Sequence, residues 1–143
     1  MKKTLNTILG CFGFLILFVG IFVGMLFMVF SPDEMCGNHL VQQSLSPNKN
    51  LKVIIFSVDC GATTGFSTQI SVVNSDYILE KNEKGNVFIA DDDHGKSKTN
   101  GEIIDLNVKW VDNDNIIIEY DKNARVFKDK SSKKGVNITY KLK

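Results

Sequence analysis

Ile104-Asp105-Leu106-Asn107-Val108-Lys109-Trp110 alternates apolar with polar residues at every step. Successive side chains of a strand point to opposite faces, so this stretch predicts a β-strand with one face buried. Asp112-Asn113-Asp114-Asn115 follows, with the composition of a hairpin turn, and Ile116, Ile118 and Tyr120 resume the alternation. At the C-terminus Val136, Ile138, Tyr140 and Leu142 alternate with Asn137, Thr139 and Lys141. Earlier strands are predicted over residues 52–58, 67–73 and 86–90, with a weaker one over 125–128. Beyond residue 31 nothing repeats apolar residues at a helical spacing for three turns. Short strands punctuated by turns predict a mainly β domain, an antiparallel sheet or small sandwich.

Ser46-Pro47-Asn48-Lys49-Asn50, ahead of an apolar run, looks like the turn that opens a β-propeller blade. A propeller takes about four or more blades of roughly forty residues each. A chain of 143 residues has no room for that, which leaves a blade-like meander.

The N-terminal side reads differently. Residues 8–30 hold no charged residue and hardly a polar one. Roughly 20 residues cross the hydrocarbon of a bilayer as a helix, so this run predicts a single transmembrane helix. A cleaved signal has a shorter apolar stretch, about 7–15 residues, followed by small residues. Here Met28-Val29-Phe30-Ser31-Pro32 ends the run, and an uncleaved signal-anchor is expected. Ile8-Leu9-Gly10-Cys11 loosely resembles a lipobox, but too few apolar residues precede Cys11 and the chain stays hydrophobic after it. Lys2 and Lys3 precede the run while Asp33 and Glu34 follow it. The excess of positive charge on cytoplasmic flanks then puts residues 1–7 in the cytoplasm and the rest outside. The expected organisation is residues 8–30 in the cell membrane, a juxtamembrane segment over 31–45 and an extracytoplasmic β domain over 46–143. Gly20 and Gly24, four apart, form a small-residue face on which two helices could pack, making a homodimer one expected partner.

With the first thirty residues set aside, the remainder is rich in Lys, Asp and Asn with nearly balanced charge. The whole chain carries a formal net charge of +1. That balance leaves no electrostatic footprint for nucleic acid. Two of the three cysteines, Cys36 and Cys60, fall in the exported part, where paired thiols become disulfides. With only His39 and His94 to assist, a zinc site is the poorer reading, and no metal or other cofactor is expected. No Gly-x-Ser-x-Gly or His-Glu-x-x-His occurs, and two histidines leave few ways to build acid–base chemistry, so no catalytic residue is assigned and no enzyme is expected.

Asp59-Cys60-Gly61-Ala62-Thr63-Thr64-Gly65-Phe66-Ser67-Thr68-Gln69 is the most distinctive stretch. It joins two predicted strands with small and hydroxyl residues. Gly61, Thr63, Thr64, Gly65, Ser67 and Gln69 are the candidate recognition residues, on backbone N–H groups that two glycines could free. The Lys-Ser/Thr of a nucleotide phosphate loop is missing, and Phe66 stands after the second glycine. Asp91-Asp92-Asp93-His94-Gly95 lacks the alternating oxygen ligands of a calcium loop and reads as surface, as does Lys96-Ser97-Lys98-Thr99-Asn100-Gly101 after it.

Cys36-Gly37-Asn38, Ser46-Pro47-Asn48-Lys49 and the stretch from Asp59 to Gln69 together resemble a family of small bacterial proteins of unknown function. Its members look like a membrane or export segment followed by a β-rich domain with this pair of cysteine motifs. The resemblance covers roughly residues 36–73. It implies a bacterial envelope setting and brings no activity. The expected function is a non-catalytic envelope module that contacts another envelope component through the 61–69 loop and an exposed sheet edge. The alternatives are a ligand binder or enzyme using Cys60, Thr63 or Thr64, and an immunity-like or inhibitory partner of a neighbouring gene product.

Overall fold

The computed structural model describes residues 2–29, 36–61 and 64–143, with helix side chains described over 13–26. It divides into two compact units, Met1–Glu34 and Met35–Lys143.

The first unit is helix α1, Lys2–Val29. Apolar residues occupy every direction around it, and each described side chain from Gly13 to Leu26 is exposed. Among the described residues no helix is long and apolar enough to cross a membrane. The expected span over 8–30 rests in part on Phe30 and on side chains at 8–12 and 27–29, which lie outside that description. Nothing lies within 4 Å of where a Cβ would stand on Gly20 or Gly24.

The second unit is mainly β. Its strands are β1 (Gly37–Leu45), β2 (Leu51–Asp59), β3 (Ser67–Asn74), β4 (Phe88–Asp91), β5 (Thr99–Asn100), β6 (Ile103–Ile104), β7 (Leu106–Trp110), β8 (Asn115–Tyr120), β9 (Arg125–Asp129), β10 (Ser132–Lys133) and β11 (Val136–Leu142). One sheet runs β1-β2-β3-β4-β9, all antiparallel, and its first four strands form a meander in chain order. The second runs β10-β11-β8-β7, and β5 pairs with β6 as a separate hairpin.

The two larger sheets share one core. Val53, Ile55, Ile70, Val72, Phe88 and Ala90 of the first meet Val108, Ile116, Ile118, Val136 and Ile138 of the second. Each fully buried side chain of this kind stabilises by about 1.5–3 kcal/mol relative to exposure. Phe88 sits at the centre, its ring 5.1 Å from that of Tyr120 and 5.8 Å from that of Tyr140. The alternation read at residues 104–110, 116–120 and 136–142 thus marks the core faces of β6–β7, β8 and β11, with Leu142 left exposed.

Three features depart from the expectation. The segment read as juxtamembrane contains β1, a nine-residue strand along the sheet edge. Residues 31–35 lie outside the described residues. Strand β2 is buried on both faces: Ile54, Phe56 and Val58 join Val73 in a second cluster on the outer side, covered by Tyr77 and Leu79. Strands β8 and β11 pair in parallel, Ile116 opposite Ile138 and Ile118 opposite Tyr140. The chain leaves β8, adds β9 to the other sheet and returns through β10, so β11 re-enters in the direction of β8.

The edge strand β1 is fastened to the rest of the domain. The Trp110 indole N–H donates to the Ser44 carbonyl at 3.2 Å, and the Asn48 backbone N–H to Asn113 Oδ1 at 2.9 Å. The Ser46 turn closes on itself: Ser46 is buried, its hydroxyl reaches Asn48 Oδ1 at 2.8 Å, and Lys49 takes a φ of 60°.

Candidate functional site

Cys36 and Cys60 form a disulfide. They stand one step past Gly37 and Asp59, the last paired residues of β1 and β2. The staple therefore extends an antiparallel ladder whose register already brings the two chains together. Bridging a separation of 24 residues contributes about 3 kcal/mol on the loop-entropy account. Neither sulfur is then a free thiolate, which is the form a nucleophilic cysteine needs.

The 61–69 segment divides. Gly61 takes a φ of 104°, a left-handed conformation that favours glycine. Its N–H donates to Asp59 Oδ1 at 2.9 Å, and its carbonyl accepts from both the backbone N–H and the hydroxyl of Thr64 at 3.0 Å. Thr63, one of the expected recognition residues, lies outside the described residues, as does Ala62. Gly65 and Phe66 complete the connection, with the Phe66 ring half exposed. Ser67 and Gln69 belong to β3. Gln69 is buried, and its amide is engaged: Oε1 accepts from the Gly85 N–H at 2.6 Å, while Nε2 donates to Ser67 Oγ at 3.0 Å. Of the six expected recognition residues, then, Gly61, Thr64 and Gly65 stand in the loop and Ser67 and Gln69 in the sheet.

At the Gly65–Phe66 end of the loop the sandwich opens into a cavity of about 180 Å³. Its walls are Gly65, Phe66, Thr68, Asp92, Thr99, Gly101, Glu102, Ile103 and Ile104. The β5–β6 hairpin forms one side: Asn100 pairs with Ile103 across the turn Gly101-Glu102, and Gly101 supplies a φ of 66°. Thr68 Oγ1 accepts from the Ile104 N–H at 2.9 Å and ties the hairpin to β3.

Glu102 lies at the hairpin tip. Ser57, fully buried on β2, donates its hydroxyl to Glu102 Oε2 at 2.7 Å. His39, opposite Ser57 on β1, places Nδ1 3.2 Å from the same oxygen. Serine, histidine and carboxylate are thus together but in the wrong order for nucleophilic catalysis. A triad needs the imidazole between hydroxyl and carboxylate, to take the serine proton. Here the carboxylate is in the middle and holds the hydroxyl as a donor.

The acidic run next to the cavity is divided by its ion pairs. Arg125 grips both carboxylate oxygens of Asp91, and Lys96 meets Asp93 at 2.7 Å. Partial burial of Asp91 opposes its ionisation, but the Arg125 hydrogen bonds outweigh it and hold the carboxyl below its ordinary range. Among the described residues no three His, Cys, Asp or Glu side chains are gathered to hold a metal ion.

Ser57, Glu102, Thr68 and Asp92 did not stand out in the sequence. One signal was present: Asn100-Gly101 is a hairpin dipeptide that would have placed Glu102 at a turn. No local pattern joins Ser57 to a residue 45 positions away.

No family model, no curated protein and no solved structure matches the chain. The resemblance to small bacterial envelope proteins therefore rests on its own residues.

Proposed function

We propose that this chain is a non-catalytic envelope protein, held in the cell membrane by residues 8–30 with its N-terminus inside. The β domain stands outside the cytoplasm and contacts another envelope component through the loop that follows Cys60. The observation that carries this reading is the Cys36–Cys60 disulfide, since such bridges persist in oxidising compartments and are rare in the cytosol. The uncharged run over 8–30, with Lys2 and Lys3 before it and Asp33 and Glu34 after it, supports the same topology. Ser57 and His39, both directed at one carboxylate, support a fixed surface rather than a reactive one.

The loop is suited to recognition because its base is pinned by the disulfide and by the Asp59–Gly61 hydrogen bond, while Phe66 remains exposed. A rigid base lowers the ordering cost of association. A photo-crosslinking side chain placed at Phe66 in intact cells is expected to give a discrete heavier adduct. The same substitution at Phe127, exposed on the edge strand β9, is expected to give none. No adduct at position 66, or equal adducts at both, would count against the reading. An adduct at 66 containing only this chain would replace the partner by a second copy, with Gly20 and Gly24 as the helix face to test.

A further inference from the structure

We infer that the cavity beside the loop binds an alkylammonium group, and that the partner component presents it as a lysine side chain. The lysine source rests on the partner reading above; the ammonium chemistry rests on the cavity alone.

The walls set the chemistry. Two carboxylates, Asp92 and Glu102, face an enclosure of about 180 Å³. The neighbouring cations are committed elsewhere, Arg125 to Asp91 and Asp93, and Lys96 to Asp93. Glu102 spends Oε2 on Ser57 and His39, which leaves Oε1 as an acceptor held in a set direction. The remaining surface is apolar: the exposed Phe66 ring and the buried side chains of Ile103 and Ile104. An ammonium on a short alkyl stem matches both parts, its charge against the carboxylates and its methylenes along the isoleucines. The aromatic ring adds a face to which cations are attracted. An anion would meet two like charges, and a neutral polar group would leave both carboxylates uncompensated.

The test uses the full chain in detergent micelles and amide signals of Gly65, Phe66, Gly101 and Ile103. Nα-acetyl-lysine methylamide is expected to shift these signals saturably, with a dissociation constant on the order of 1 mM. The norleucine analogue, which has the same backbone and alkyl stem without the ammonium, is expected to bind about fivefold or more weakly. D92N and E102Q are each expected to weaken the lysine amide by a similar factor while leaving signals in the β8–β11 core in place. Butylammonium separates the sources. Weaker binding than the lysine amide assigns a protein side chain, and equal binding assigns a free amine while keeping the ammonium site. Equal binding of lysine and norleucine amides, or no shift at these residues, would overturn the inference. If the lysine amide binds but Phe66 captures no partner, the partner reading falls and the cavity assignment stands. A partner captured at Phe66 with no ammonium binding gives the converse.

Discussion

Ser57 and Glu102 meet through a 2.7 Å hydrogen bond that ties the middle of the first sheet to the tip of the β5–β6 hairpin. The hydroxyl is fully buried, while the carboxylate stays partly in water. Removing the donor leaves an acceptor that water can still reach, so S57A is expected to cost about 1 kcal/mol. H39A removes an exposed partner of the same oxygen and is expected to cost less than about 0.5 kcal/mol. Urea unfolding of the two variants checks the order; an equal loss would mean that burial is not what separates them.

Gly85 offers a sharper steric case. A Cβ built there would stand 2.7 Å from the Phe88 carbonyl oxygen and 3.0 Å from Gln69 Cβ. The Gly85 N–H also donates to Gln69 Oε1, so the backbone cannot retreat without breaking that bond. G85A is expected to destabilise the domain by about 1–3 kcal/mol, as overpacking does. Thermal unfolding measures it. G65A, where nothing lies within 4 Å of the added carbon, is the matched control and is expected to change stability little.

Acid stability follows from Asp91. Its folded-state carboxyl titrates below the ordinary value of 3.8 because the Arg125 hydrogen bonds outweigh the effect of burial. A group whose folded pKa is depressed gives its stabilisation in full above the unfolded value and loses it as pH falls through the folded one. The domain is therefore expected to keep this contribution down to about pH 4 and to lose it progressively below that. In D91N the pH dependence over that interval should flatten. A D91N curve parallel to the wild-type curve would show that the pair contributes no linkage.

Much of the fold was legible from the sequence, and the exceptions have physical reasons. Strands β7, β8 and β11 alternate because each buries one face. Strand β1 was hidden because Gln42 and Gln43 lie on an exposed edge, where neither face imposes an apolar period. The parallel pairing of β8 with β11 depends on where β9 docks, which residue patterns do not encode. The candidate loop was read as one segment, yet Ser67 and Gln69 are strand residues, and Gln69 is used to anchor Gly85. The cavity could not be read at all, because its walls come from three separated parts of the chain.

The disulfide is expected to contribute about 3 kcal/mol, so reduction should lower the urea midpoint without unfolding the core around Phe88. Replacing Cys36 and Cys60 together by serine should reproduce the loss. An unchanged midpoint in both cases would mean that the ladder between Gly37 and Asp59 holds the strands without the bridge.

The central claim is an exported, stapled domain on a membrane anchor, and thiol accessibility in intact cells tests it most directly. A membrane-impermeant maleimide, applied to a Cys11→Ala variant, is expected to add nothing without reductant and two labels once a reductant has opened the Cys36–Cys60 bridge. Labelling of both cysteines only after lysis, with no reductant required, would contradict the topology and the staple together.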